Sequence, residues 1–419
     1  MGRLRCAGVA LYSMLGMAPA MAAEWSSTLD LESAYAYQTG DWQKNSATWR
    51  PQLIQRFDSG ARLTALGLVQ VDVEDELDPG RPDQPFRARN TRVYHANSRT
   101  DLELRELYLD QYFGAAFLRL GKQQIVWGQA DGLRVLDVIN PLTYKEFILP
   151  DLEDRRIPLW AAQLDVPVGA GSLQLVWVPD ATVSEFPAPG ATFALLDDPF
   201  DGQGQQVVAR PHSLETSDVG GRASLFLAGW DLTFNYLYHT VDDPLIQLEP
   251  SNRQVRASYN RSHLAGFTFA RPFGNLTLRG ELGHESERRY PAANLQAWQR
   301  TRETAWVLGA DYQGFQDTLV SAQLFQTRRH DAGGNLDRHR EQVTFLLQRD
   351  YLHERLQLAG LAIYDLQDKD SLVQLSATYK LTSRWLLSAG ADVFGGTSEG
   401  RFGRFRQDSR WNLGATLSF

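Results

Sequence analysis

Residues 276–283 read Leu-Thr-Leu-Arg-Gly-Glu-Leu-Gly. In an extended chain Leu276, Leu278 and Leu282 share one side with Gly280, while Thr277, Arg279, Glu281 and Gly283 share the other. An arginine held against lipid at mid-membrane costs about 2–4 kcal/mol, whereas a water-filled interior keeps it hydrated. The stretch is therefore expected to be a barrel strand with Arg279 and Glu281 facing inward and the leucines facing hydrocarbon. A soluble two-sheet sandwich alternates in the same way, so the connections between strands must decide.

The two-residue period recurs along the chain. Trp230, Leu232, Phe234, Tyr236 and Tyr238 alternate with polar neighbours, as do Trp411, Leu413, Ala415, Leu417 and Phe419. About eighteen such strands are expected, with sixteen as the alternative count. Short turns are expected near Asp58–Gly60, Gly114, Gly169–Gly171, Ala228–Gly229, Pro272–Gly274, Gly314–Phe315, Tyr351–Leu352 and Thr382–Ser383. Longer loops are expected at Asp75–Ser98, Gly128–Pro158, Asp180–Asp218, Asp242–Asn252, Ser286–Thr301 and Gly395–Gln407. A sandwich has no reason for connections that alternate between short and long. An outer-membrane barrel does, because its periplasmic turns are tight and its extracellular loops are long. An even strand number then puts both termini on the periplasmic side. In Asp101–Phe113 the apolar phase changes between Leu104 and Leu107, through either a bulge or an inward leucine.

Other features narrow the class. Past the N-terminal segment the longest uncharged stretch, Val166 to Pro179, is broken by Pro167, Gly169 and Gly171, which excludes a helical membrane protein. A closed barrel is the only β-architecture that a bilayer tolerates. Arg3 and Arg5, the apolar run Val9–Met17 and Ala20-Met21-Ala22 together form a secretory signal peptide over 1–22, with an N-terminal anchor as the alternative. Residues 23–419 then form one barrel domain. Cys6 is the only cysteine and lies within the signal, so neither a disulfide nor a thiolate metal site is expected. Loss of Arg3 and Arg5 takes 42 basic residues to 40 against 50 acidic ones, a net charge of −10. Such a balance argues against a nucleic-acid partner. Aromatic residues such as Trp49, Trp177, Trp306 and Trp385 fall towards strand ends, where amphipathic rings meet the membrane interface. The expected surroundings are outer-membrane lipid and lipopolysaccharide.

The stretch from Arg119 to Asp165 stands apart, because its loop is long and apolar. Val135, Leu136, Val138, Ile139, Leu142, Phe147, Ile148 and Leu149 need something to pack against, and a barrel interior offers it. Much of Gly128–Pro158 is expected to fold inward and narrow the pore; an outward cap on neighbouring loops is the alternative. Asp131, Asp137, Asp151, Glu153 and Asp154 oppose Arg134, Lys145, Arg155 and Arg156. Across a constriction they would set up a transverse field; the alternative is an ion-pair network that pins the loop. With Lys122, Gln123, Trp127 and Asn140 these make up the candidate constriction. Candidate lumen-wall residues are Arg50, Arg56, Arg105, Arg222, Arg279, Glu281 and Asp311.

The segments GKQQIVWGQADGLRVLDVINP and EFILPDLEDRRIPLW resemble a family of proteobacterial outer-membrane proteins of unknown function, some encoded beside RND-type exporters. The resemblance is strongest over Leu102–Asp180. Lys122, Gln123, Trp127, Gly128, Asp137, Asn140, Pro141 and Arg156 fall on its motif, while Thr143 and Tyr144 stand where the family often has a second Asp. The resemblance implies a barrel fold and an outer-membrane location, and an RND-type inner-membrane exporter as a possible partner. The terminal Phe419 resembles the C-terminal signal of barrels handled by the outer-membrane insertion machinery.

Enzymatic signatures do not stand out in the sequence, and no HExxH helix occurs. No histidine has metal-ligand spacing, and Asp151, Glu153 and Asp154 match no calcium-loop spacing. No cofactor and no metal is expected. The sequence points to a porin-like channel for passive passage of small polar or amphiphilic solutes. The alternative is a barrel without an open pore that serves an exporter or handles hydrophobic compounds.

Overall fold

The computed structural model describes residues 23–80, 84–195, 205–209, 214–292, 294–334 and 336–419. The expected signal peptide, 1–22, lies outside them. Eighteen antiparallel strands form the barrel. In chain order the first nine are β1 (Glu24–Ala36), β2 (Asp41–Arg56), β3 (Arg62–Asp72), β4 (Thr100–Phe113), β5 (Ala116–Gln123), β6 (Leu159–Val168), β7 (Gly171–Val178), β8 (Asp218–Leu227) and β9 (Trp230–Thr240). The rest are β10 (Arg261–Phe273), β11 (Leu276–Pro291), β12 (Trp298–Phe315), β13 (Thr318–Arg329), β14 (His339–Tyr351), β15 (Leu356–Asp365), β16 (Asp370–Lys380), β17 (Trp385–Gly395) and β18 (Arg410–Ser418). Each pairs with its neighbours in sequence, and β18 returns to β1 with Leu29 opposite Leu417. Ser27 and Phe419 exchange backbone hydrogen bonds of 2.8 and 3.0 Å, which completes the closure. No sheet edge is left among these strands.

The connections alternate as the parity argument requires. At one end they are 57–61, 114–115, 169–170, 228–229, 274–275, 316–317, 352–355 and 381–384. Two-residue hairpins need left-handed backbone, and Gly114 and Gly274, both at φ 62°, supply it without a Cβ clash. The opposite end carries the long connections 73–99, 124–158, 179–217, 241–260 and 396–409. One expected loop is mostly strand: β11 and β12 stay paired to Pro291 and Trp298, so Ser286–Thr301 shrinks to a connection over 292–297. Charge on both faces made it look like a loop. Here the strands extend beyond the apolar band, and the charges pair with one another, Glu287 taking Arg289 at 2.8 Å and Arg300 at 3.3 Å.

The phase change in β4 is a bulge. Leu66 faces Glu106 and Gly67 faces Leu104, which leaves Arg105 as the extra residue. Leu102 and Leu104 point outward before it, and Leu107 and Leu109 after it, so both runs keep leucine on the outer face. Among outward residues Leu282, Leu308, Leu324 and Phe345 are exposed. Buried apolar side chains gather instead on the inner face, in two clusters that both include the 124–158 connection.

Candidate functional site

The 124–158 connection is tied at its neck by one side chain. Asn140 accepts from the Ile125 amide at 2.7 Å and donates to the carbonyls of Ile157 (2.9 Å) and Gln123 (3.3 Å). An amide offers two donors and an acceptor in one plane, and here all are engaged. Arg156 grips Asp137 through Nε at 2.9 Å and Nη2 at 2.6 Å. Arg134 donates to the Asp137 carbonyl at 3.0 Å and the Asn140 carbonyl at 3.2 Å. Gly128 lies so close to Asp137 that a Cβ would sit 2.8 Å from the Asp137 Cβ. Trp127 is buried and donates to Gln174 at 2.7 Å. The motif residues of this stretch thus stitch the connection to itself and to the barrel.

Its first half, 125–139, packs on inward side chains of β6–β13. Ile125, Trp127, Val135, Leu136 and Ile139 meet Val176, Val178, Leu237, Leu264, Val307 and Phe325. Leu136 settles over Gly266 and Gly283, where added Cβ atoms would come within 2.4 and 3.1 Å of it. Glu281 accepts from the amides of Gln129 and Leu136, the latter at 3.1 Å. Beside it Arg279 donates to the Gln129 carbonyl and Asp131, and holds Asp311 at 2.7 Å. Gln323 also donates to Asp131, at 3.1 Å. Between Gln129–Ala130 and Arg279–Glu281 the crevice has no room for water.

The second half, 143–156, faces the remaining strands. Phe147, Ile148 and Leu149 pack with Phe193, Phe394, Phe402 and Phe405 near the long-loop end. A short helix, Leu152–Arg155, follows. Arg105 on the β4 bulge receives its end, donating to the carbonyls of Glu153 (3.0 Å), Asp154 (2.9 Å) and Arg156 (2.7 Å). Arg50 bonds Asp30 and reaches Asp154 at 3.4 Å.

Around this half lie two open spaces, of about 520 and 200 Å³. Both far exceed the ~10–15 Å³ that one water needs on the same measure. The larger is walled by β14–β18 and β1, the smaller by β1–β4, and Glu32, Lys44, Glu146, Pro150 and Asp154 line both. Gln357, Gln374, Ser376, Thr378, Ser388 and Asn412 make the wall of the larger one mostly polar.

The expected site residues divide accordingly. Lys122 and Gln123 end β5 and are buried, Lys122 donating to the Leu104 carbonyl at 2.7 Å and Gln123 to Ala161 at 3.1 Å. Arg155 is buried over the Tyr144 ring. Asp151, Glu153 and Asp154 are exposed, and Asp151 and Asp154 line the spaces. Arg222 reaches the Val126 carbonyl at 3.3 Å, and Arg56 pairs with Glu24 at the short-turn end. Sequence reasoning missed a buried ionic layer. Glu146 takes Lys44 at 2.7 Å and Arg410 at 3.0 Å, while Glu185 takes Arg87 at 3.0 Å and Lys145 at 3.6 Å. Burial alone would raise these carboxyls, but the paired cations hold both at about 2. A carboxylate directly before the apolar run Phe147–Leu149 was the available signal. Elsewhere Asp365, Asp368 and Asp370 crowd within 4.8 Å. Arg340 bridges the first two at 3.1 Å, and Asp370 receives the amides of Phe402 and Gly403, so the cluster anchors a loop.

A closed eighteen-strand barrel of this build is the fold of porin-type channels. The Pseudomonas aeruginosa OccK2 (OpdF) structure superposes with a TM-score of 0.53 at 12% identity, covering 95% of this chain and 97% of the other. Acinetobacter baumannii OccAB1 gives 0.52 at 9% identity, covering 95% and 96%. A BenF-like porin from Pseudomonas fluorescens Pf-5 gives 0.50 at 8% identity, covering 96% and 98%. No curated protein matches the sequence. Residues 37–380 match the family described as "Protein of unknown function (DUF1302)", and the chain belongs to that family.

Proposed function

We propose that this protein is an outer-membrane channel for passive passage of small polar or amphiphilic solutes, narrowed by the segment between β5 and β6. The observation that carries the reading is the pair of adjoining spaces between that segment and the polar wall of β14–β18 and β1–β4. An apolar plug would close both walls alike; here one wall is closely packed and the other borders open space along much of its length. Nine carboxylates line the two spaces: Glu32, Asp72, Asp78, Asp101, Glu103, Glu146, Asp151, Asp154 and Asp392. Six cations accompany them: Lys44, Arg50, Arg105, Lys145, Arg155 and Arg410. The surplus of three negative charges supports a mild preference for cations over anions.

The test is single-channel recording of the purified barrel in a planar bilayer, beside a variant lacking residues 130–153. Steady ohmic steps from the intact chain, and larger steps from the variant, are expected. A bilayer that stays sealed with the intact chain rejects the channel, and equal steps reject the narrowing role.

A further inference from the structure

On the lipid side of β11–β14, just below the long-loop end, the outward face changes character within two residues. Leu308, Leu324 and Val343 stand side by side across β12–β14. One step up, Leu282, Trp306, Gln326 and Glu341 form a row. The next step places His284, Thr304, Arg328 and His339 in register across the four strands. Just above, His330 shares the Thr304 hydroxyl with His284, at 2.8 and 2.9 Å, and the two rings lie 5.9 Å apart.

Few anions oppose this row. Asp331 is engaged by Arg302 at 3.0 Å, and Glu341, one step below, takes the Gln326 amide at 2.7 Å. Arg328 is exposed and has no carboxylate partner among the described residues. Three imidazoles and a guanidinium therefore face outward above a tryptophan and a strip of leucine and valine. Such an order suits an amphiphile with a strongly anionic head and saturated chains: donors bind phosphate oxygens, and chains lie on the apolar strip.

We infer that this rim binds the phosphate of an outer-leaflet lipid, with Arg328 and His284 as its principal donors. The inference rests on the reading that the barrel sits in an outer membrane with its long loops outside. A phosphorylated saccharolipid is the occupant; a free phosphate would gain nothing from the strip below.

The test is native mass spectrometry of the detergent-purified barrel, incubated with bis-phosphorylated lipid A, with lipid A stripped of its phosphates, or with phosphatidylethanolamine. The barrel should retain the bis-phosphorylated form, with about ten-fold weaker retention when both phosphates are gone, as expected from losing charge-assisted hydrogen bonds. An Arg328→Gln/His284→Gln double variant should lose a similar factor, while Arg384→Gln at the short-turn end should lose none. Equal retention by the double variant and the parent overturns the inference, as does full displacement of lipid A by inorganic phosphate. Heat-modifiable gel mobility shows that each variant has folded. Channel recordings on the same preparations report on pore function separately, so failure of one reading leaves the other standing.

Discussion

The two walls of this barrel obey different rules, although the strands that build them look alike from outside. From β6 to β13 the inward side chains include Val176, Leu237, Leu264, Val307 and Phe325, and residues 125–139 cover them. From β14 through β18 to β4 the inward side chains include Gln374, Ser376, Ser388, Lys44 and Thr48, which border open space, while Ile363, Leu372 and Phe394 pack with Phe147–Leu149 near the long-loop end. The first wall behaves as half of a protein core. The second behaves as the side of a vessel. A substitution on the covered wall should therefore act on stability and on the position of the segment, whereas one at a polar residue bordering the open space, such as Ser376 or Ser388, should act chiefly on ion flow.

Leu136→Ala on the covered side should have the largest effect. It empties a fully buried site over Gly266, at a cost of about 2–5 kcal/mol. Urea titration of the barrel in lipid vesicles measures this, and a value under one kcal/mol would show that the contact is loose. Glu281→Ala should cost a comparable amount, because it orphans the Gln129 and Leu136 amides, at roughly 1–3 kcal/mol for each buried donor. Its conductance should rise towards that of the 130–153 deletion; an unchanged step would break the link between wall and segment.

A smaller effect comes from pH, where the second half of the segment is anchored on β2 and β18. The Glu146 carboxyl titrates at about 2, below the ordinary value near 4.3, because Lys44 and Arg410 stabilise its charge. Its contribution is present above that ordinary value and is lost as pH falls through about 2. Burial pushes the Asp408 carboxyl the other way, up to about 6. Its contribution is complete below the ordinary aspartate range and is lost as pH rises through about 6. Limited proteolysis of the 143–156 half should thus accelerate between pH 4 and 2 in the parent, and Glu146→Gln should reduce that pH response, leaving the part that Glu185 contributes through Lys145. On the open wall, Ser388→Ala should shift stability by no more than about 0.5 kcal/mol. Asp151→Asn should do no more than move the reversal potential in a salt gradient slightly towards anion preference.

The strands were legible because the bilayer imposes one rule on every outward residue, and a two-residue period reports it. Seven of the eight short turns fell on or beside the expected interruptions of that period, while the one expected at Gly314–Phe315 lies just beyond, at 316–317. The loop over 286–301 misled, since strands that leave the apolar band no longer alternate. The phase slip between Leu104 and Leu107 was visible, but a bulge and an inward leucine could not be told apart, because that depends on register with β3. Within the site, the apolar excess of 133–149 announced that the connection needed a surface. What the sequence could not supply was the partner list: Glu281 meets Leu136 and Arg410 meets Glu146 across separations of 145 and 264 residues. The lumen was expected to be mixed in charge. Its division into a dry and a wet side arises from which strands face the segment, and that is a property of closure.

Thiol accessibility tests that division most directly, since Cys6 is the only native cysteine and falls within 1–22. Ser376→Cys, on the exposed inner side of β16, and Val307→Cys, beneath the segment on β12, would each be treated with a charged methanethiosulfonate while the channel conducts. Ser376→Cys should react quickly and lower the current, while Val307→Cys should remain protected until residues 130–153 are deleted. Equal reaction rates at the two positions in the intact chain would contradict the account.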